Sequence, residues 1–305
     1  MGNSARWIAA LLEGRLSAQG RAFQNSARDE IRAGCDASRF AGLISLASRH
    51  VPATGLEISG DEMMEAQTAL EGWNPKRWNL RETSRVDLVL ARKDLADANG
   101  VSAIESAFAY ADTGELCALY KSLAHLPAPE RFVARAAEGA RTNIRAVFES
   151  AICDTPFPAK YFDDVAWRQC VIKALFTEAP LWRVFGLDTR LDPELARMAL
   201  DLAEERRSAG RHVNPQLWLC LGPHAGERGL RALQGELKSG TSEARAAAAL
   251  ALGRVDAKTR ERAGLDALIA AEKDSAVLNA LRQARVGNVR QEAFQPFDGP
   301  VPKVV

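Results

Sequence analysis

Pro127–Phe176 reads PAPERFVARAAEGARTNIRAVFESAICDTPFPAKYFDDVAWRQCVIKALF, and its periodicity decides the fold class. Pro127 and Pro129 stand where a helix can begin, because the amide hydrogen that proline lacks goes unpaired in a first turn. Gly139 is the one weak point before about Cys153. At about 100° per residue, Val133, Ala136, Ala137, Ala140, Ile144, Val147, Phe148 and Ala151 fall on one face, which predicts a single amphipathic helix. Arg131, Arg135, Glu138, Thr142, Arg145 and Glu149 form a charged stripe opposite, the ordinary chemistry of a solvated face. Arg141 and Asn143 lie on opposite flanks of the apolar face. Each is expected to be partly buried against a neighbouring helix, as a packing anchor or a contact for a ligand.

A second helix is predicted from Asp163 or Asp164, either of which suits a cap after the PFPAKYF turn. Val165, Trp167, Cys170, Val171, Ile172, Ala174, Leu175 and Phe176 cover almost its whole circumference, the pattern of a central helix. Gln169 and Lys173 interrupt it on one line. A lysine there must reach water or meet a carboxylate, because burying it unpaired costs several kcal/mol. Lys173 is therefore the best single candidate for a functional charge, with a structural ion pair as the alternative.

The same periodicity runs through the rest of the chain. Helices are expected from Asn3 or Ser4 through Leu16, over 21–33, 37–49 and 61–71, along one long stretch from Asn79 to Ala98, and over 101–112, 114–124, 193–208 and 215–221. Val86–Leu90 passes for a strand in isolation, but no second alternating run exists to pair with it. Near the C-terminus, Gly229-Leu-Arg-Ala-Leu233 recurs as Gly264-Leu-Asp-Ala-Leu268, and Ala246–Gly253 corresponds to Ala280–Gly287. This spacing resembles HEAT-type helix pairs. The expected fold is all-α, a right-handed helical array or α-solenoid with HEAT-like pairs toward the C-terminus. Its expected parts are a helical domain over 1–225, repeats over 226–286 continuous with it, and a flexible tail over 287–305.

Of 305 residues, 47% are apolar and 26% charged, the balance of a globular protein with a substantial core. Forty basic and 39 acidic residues leave a net charge of +1, so no excess field exists to attract nucleic acid. Five widely spaced cysteines fit reduced thiols in the cytosol. No apolar run approaches the roughly 18–20 residues needed to span a bilayer, and the N-terminus lacks the pattern of a signal peptide. A cytoplasmic protein is expected. His50, His125, His212 and His224 have no partner at metal-ligand spacing, and no phosphate loop, nucleophile elbow or dinucleotide fingerprint occurs. No metal or cofactor is expected. His125 and His224, beside prolines, read as surface histidines.

The run DTGELCALYKSLAHLPAPERFVARAAEGARTNIRAVFESAICDTPFPAKYFDDVAWRQCVIKALFTEAPLWRVFGLD, Asp112 to Asp188, resembles the core of the EboA family, encoded in bacterial and algal ebo gene clusters. The carrying pieces are RAAEGARTN (Arg135 to Asn143) and PFPAKYFDDVAWRQCVIKALF (Pro156 to Phe176). GWNPKRWNL at Gly72 extends the similarity upstream, and the likeness fades before Asp61 and after about His224. The chain has LAHLP where the family pattern has LPLLP, and Arg168 where the pattern has Asn; neither departure touches a charged candidate. The resemblance implies a role in moving a secondary metabolite or its precursor. It also implies partners among the other ebo-cluster proteins, including a UbiA-type membrane prenyltransferase, but no established catalytic residue.

The reading these features favour is a non-enzymatic helical carrier or adaptor whose groove holds a hydrophobic metabolite or a partner. Tryptophans 167, 182 and 218 are either core or the lining of that groove. Ligand- or partner-binding candidates are Glu138, Arg141, Asn143, Asp164, Trp167, Gln169 and Lys173. Two alternatives remain: an enzyme whose site is assembled from distant residues such as Asp112, Glu138, Arg141, Asp164 and Lys173, or a pure scaffold. Self-association through the exposed end of the array is left open.

Overall fold

Several helices in this chain start at side-chain caps. Ser59, Asn79 and Asp112 each accept a hydrogen bond from the backbone three residues on, while Glu62, Glu82 and Glu115 reach back to the capping amide. Two otherwise orphaned donors are thereby satisfied at each start. In the computed structural model, which describes residues 2–297, the α-helices run α1 Asn3–Arg15, α2 Ala18–Ala33, α3 Ala37–His50, α4 Gly60–Ala69, α5 Leu80–Leu90, α6 Ala98–Tyr110, α7 Thr113–Ser122, α8 Val133–Gly139, α9 Arg145–Ile152, α10 Phe157–Tyr161, α11 Asp164–Phe176, α12 Pro193–Ser208, α13 Gly226–Ser239, α14 Ser242–Leu252, α15 Ala257–Arg262, α16 Leu265–Ala271 and α17 Ser275–Val286. No strand forms among the described residues. Gly55 and Asn79 make an isolated antiparallel bridge. The protein is all-α.

The chain forms two compact units, one ending at Asp163 and the other beginning at Asp164. In the first, α5 is the central element, buried from Thr83 through Leu90 and packed by α1, α2, α3 and α7. Two charged residues are buried on it. Asp87 accepts a 2.6 Å hydrogen bond from the Gln24 amide and lies 3.4 Å from Arg28. Arg85 donates to the Ile44 carbonyl at 3.2 Å and approaches Glu115 at 3.6 Å. Burial pushes the Asp87 carboxyl up and the Arg85 guanidinium down from their ordinary values, since both charges have left water.

Two expected long helices are broken. The one expected over 79–98 ends at Leu90, and the chain turns through 91–97 before α6. Gly100 makes this turn feasible: a Cβ there would clash with the Asp94 carbonyl and stand 2.8 Å from Leu95 Cα. The helix expected from Pro129 to Cys153 becomes a 3₁₀ turn, Pro129–Phe132, followed by α8 and α9 with a bend over 140–144. At the bend Gly139 lies so close to α7 that a Cβ would sit 2.6 Å from a ring carbon of Tyr120. In both places a close backbone approach overrides helical periodicity.

In the second unit, α11 begins at Asp164 as expected, but it is not buried all round. Val165 is 59% exposed and Phe176 54%. Helix α13 packs on α14, α14 on α17, and α16 on α17. The last part of the chain departs from the expected flexible tail: Gln291–Phe297 is a 3₁₀ segment with Phe294 fully buried. Gln291 donates to the carbonyls of Trp182 (2.7 Å) and Val184 (2.9 Å) and accepts from the Asp188 amide at 3.2 Å. The remainder of that expected tail, 298–305, lies outside the described residues.

Because Gly100 has no room for a side chain against backbone, Gly100→Ala is expected to lower unfolding free energy by about 1–3 kcal/mol, the usual range for overpacking. Chemical denaturation checks this. An unchanged midpoint would show that the 94–95 backbone yields freely.

Candidate ligand cavity

A cavity of about 500 Å³ opens in the first unit. Its walls come from the start of α1 (Gly2, Ala5), the last turn of α2 (Arg32), the segment leaving α5 (Leu90, Ala91, Arg92, Lys93, Leu95, Ala96) and the turn His125–Pro127. The volume lies within the usual range for small-molecule sites, about 300–1,000 Å³. The broken helix creates it: had α5 continued past Leu90, the wall from 91 to 96 would not exist.

Arg131 joins two of the walls. Its guanidinium donates to the Ala96 carbonyl at 2.8 Å and the Leu95 carbonyl at 2.6 Å, and also to the Pro127 carbonyl at 3.0 Å. Five rigid donors in a planar fork suit this multiple capture, for which lysine has no equivalent. Arg131 thus fixes the 91–97 segment against the 125–128 turn.

His125, in the cavity wall, belongs to an aromatic cluster. Its ring centroid is 4.6 Å from Trp73 and 5.8 Å from Trp78, both edge-on, and Trp7 meets Trp73 edge-on at 5.1 Å. Although 9% of the residue's surface remains exposed, both ring nitrogens are closed off from water without a hydrogen-bond partner, as is the Trp73 indole nitrogen. Burial pulls the imidazole down from an ordinary 6.5 to about 3, so it is uncharged at neutral pH. The expectation of a surface histidine is therefore wrong for His125, although His224 is exposed. The sequence did hold a signal: in LAHLP, apolar neighbours flank the histidine on both sides.

Charge at the cavity is one-sided. Arg32, Arg92 and Lys93 line it, and no carboxylate does among the described residues. Asp94 takes up Arg92 through two hydrogen bonds, of 2.9 and 2.6 Å. Arg32 forms one ion pair among the described residues, a loose one with the exposed Asp29 at 3.9 Å, and attracts the buried Asp87 through space. Lys93 is exposed and forms no ion pair among the described residues.

The candidates named from sequence fall elsewhere. Glu138 is exposed and pairs with Arg135 at 2.5 Å. Arg141 and Asn143 are exposed in the bend between α8 and α9, not half-buried on a helix flank, because the helix that was to carry them ends at Gly139. In the second unit, Asp164 and Trp167 meet through Arg190. The Trp167 indole donates to the Arg190 carbonyl at 3.2 Å, and the guanidinium lies 4.8 Å from the ring centroid and 2.9 Å from Asp164. Trp167 and Trp218 are core residues, each 1% exposed. Gln169 is exposed and Lys173 half-buried.

Fold and cavity together define an all-helical protein with a ligand-sized chamber in its N-terminal unit. Residues 5–222 match the family described as "Metabolite traffic protein EboA", and the chain belongs to that family. The match begins well before the Asp61 limit expected from the resemblance, and it takes in every wall of the cavity except Gly2. No curated protein and no solved structure matches the chain. No helix among the described residues is long and apolar enough to cross a membrane.

The displaced imidazole titration makes an acid-stability prediction. Between about pH 6.5 and 3 the unfolded chain binds a proton at His125 that the folded chain does not, so stability falls as pH drops through that window. Relative to His125→Leu, the wild-type protein should lose up to about 1.4 kcal/mol per pH unit there. Parallel pH-dependence of the two proteins in urea unfolding would contradict the buried, neutral state.

Proposed function

We propose that the protein is a non-enzymatic carrier that holds a metabolite or its precursor in the cavity between α1, the 91–97 segment and the His125 turn. The supporting observation is a chamber of ligand size in the part of the chain that belongs to a metabolite traffic family. Its walls are mixed in the way small-molecule sites are, with Ala5, Leu90, Leu95 and Leu126 for an apolar body and a few cations at the mouth. Arg131 holds the walls in place beforehand, which lowers the ordering cost of binding.

An adaptor role on a different surface accompanies this reading. Val165, Ile172 and Phe176 recur at helical spacing along α11, interrupted by the exposed Gln169, and Val165 and Phe176 are more than half exposed. Such an apolar stripe suits docking of a protein partner. With the family's setting, this favours handover to other ebo-cluster proteins, including a UbiA-type membrane prenyltransferase. Asp164, beside the stripe, and Lys173 supply the polar border. The C-terminal helices are proposed to act as HEAT-like pairs that extend the docking surface.

Native mass spectrometry of protein purified gently from its own host tests the carrier reading. A co-purifying small molecule is expected with the wild type. It should be absent from Ala96→Trp, which places a large side chain at the exposed mouth with little change in melting temperature. A ligand retained in full by Ala96→Trp would move the site elsewhere, and a stoichiometric protein partner with no small molecule would favour the scaffold.

A further inference from the structure

We propose that the cavity is selective for an organic anion, an apolar body carrying one acidic group such as a carboxylate, phosphate or sulfonate. The inference rests on the carrier reading and adds the chemical class of the cargo. Among the described residues, three cations and no carboxylate line the chamber. Arg92 is spent on Asp94 and on the Cys35 carbonyl at 3.4 Å, and its guanidinium also lies 4.9 Å from the Phe40 ring centroid. Arg32 and Lys93 are left. The first is loosely associated with Asp29 and attracted through space to the buried Asp87, its ion-pairing capacity largely unused, and the second is unpaired among the described residues. Like charges held near one opening repel each other, and an anion between them removes that repulsion while gaining charge-assisted hydrogen bonds.

The remainder of the lining is apolar: Ala5, Leu90, Ala91, Leu95, Leu126 and Pro127. A small hydrophilic anion would leave those walls unfilled, and a neutral hydrocarbon would leave the cations without a partner. The neutrality of His125 matters too, since a charged imidazole in the rear wall would draw the acidic group inward and away from the mouth. The cargo therefore enters with its apolar body first and its acidic group remains near Arg32 and Lys93.

Two probes of nearly the same shape test this on the full chain. 1-Anilinonaphthalene-8-sulfonate carries an acidic group on an aromatic body, and N-phenyl-1-naphthylamine is the same body without it. The binding counted is the saturable part that Ala96→Trp removes. The sulfonate should bind about fivefold or more tightly than the neutral probe, given roughly 0.5–1 kcal/mol for each partly exposed charge contact. The preference should disappear in the double variant Arg32→Gln, Lys93→Gln, whose circular dichroism and melting temperature should match the wild type, and shrink at high salt.

Equal binding of both probes at the site blocked by Ala96→Trp would overturn the anion inference and leave the carrier reading standing. So would a preference that survives the double variant. If neither probe shows saturable binding sensitive to Ala96→Trp, the carrier reading itself fails and the inference falls with it.

Discussion

Burial of α5 with two charges on it is the constraint on which the first unit depends. An apolar helix can slide or rotate against its neighbours at small cost, whereas a helix carrying Asp87 and Arg85 into the core can occupy only the position that supplies their partners. Gln24 from α2, Glu115 from α7 and the Ile44 carbonyl from α3 provide them. Three helices are thereby placed in register with α5. The cavity, built around the end of α5, inherits its shape from that register.

The charges on α5 and those at the cavity play opposite roles. Inside, each cation is close to an anion or a carbonyl. At the mouth, cations outnumber carboxylates, and Arg131, with four carbonyls of the 95–96 and 127–128 turns around it, holds the wall rather than contributing to that surplus. Paired charges hold the scaffold, and the cations with loose or no ion pairs face the space where a ligand would lie.

Helical periodicity and caps were enough to read the all-α class, and the helix expected over 193–208 forms as Pro193–Ser208, with Asp192 capping it and Pro193 in its first turn. The break after Leu90 was hidden, and Gly139 stood out only as a weak point, because each break involves a glycine in close approach, Gly100 to the backbone at 94–95 and Gly139 to the Tyr120 ring. Helical wheels count only neighbours along one helix. The same limit misplaced Arg141 and Asn143, whose predicted flanks belonged to a helix that does not continue that far. Arg131 looked like one member of a solvated stripe, and its capture of carbonyls at 95 and 96 depends on a turn about 35 residues upstream. His125 was judged by the prolines near it; its real environment is set by Trp73 and Trp78, some 50 residues away in sequence.

The C-terminal segment has a temporal consequence. The turn at 182–188 receives its hydrogen bonds from Gln291, across sequence separations of 103 to 109 residues. Until residue 291 has left the ribosome, the carbonyls of Trp182 and Val184 and the amide of Asp188 lack these partners. The second unit therefore closes only after residue 291 has been made, and contacts at such separation are the slow ones in folding. The first unit, whose named contacts lie within its own 163 residues, is free to assemble while the rest of the chain is still being made.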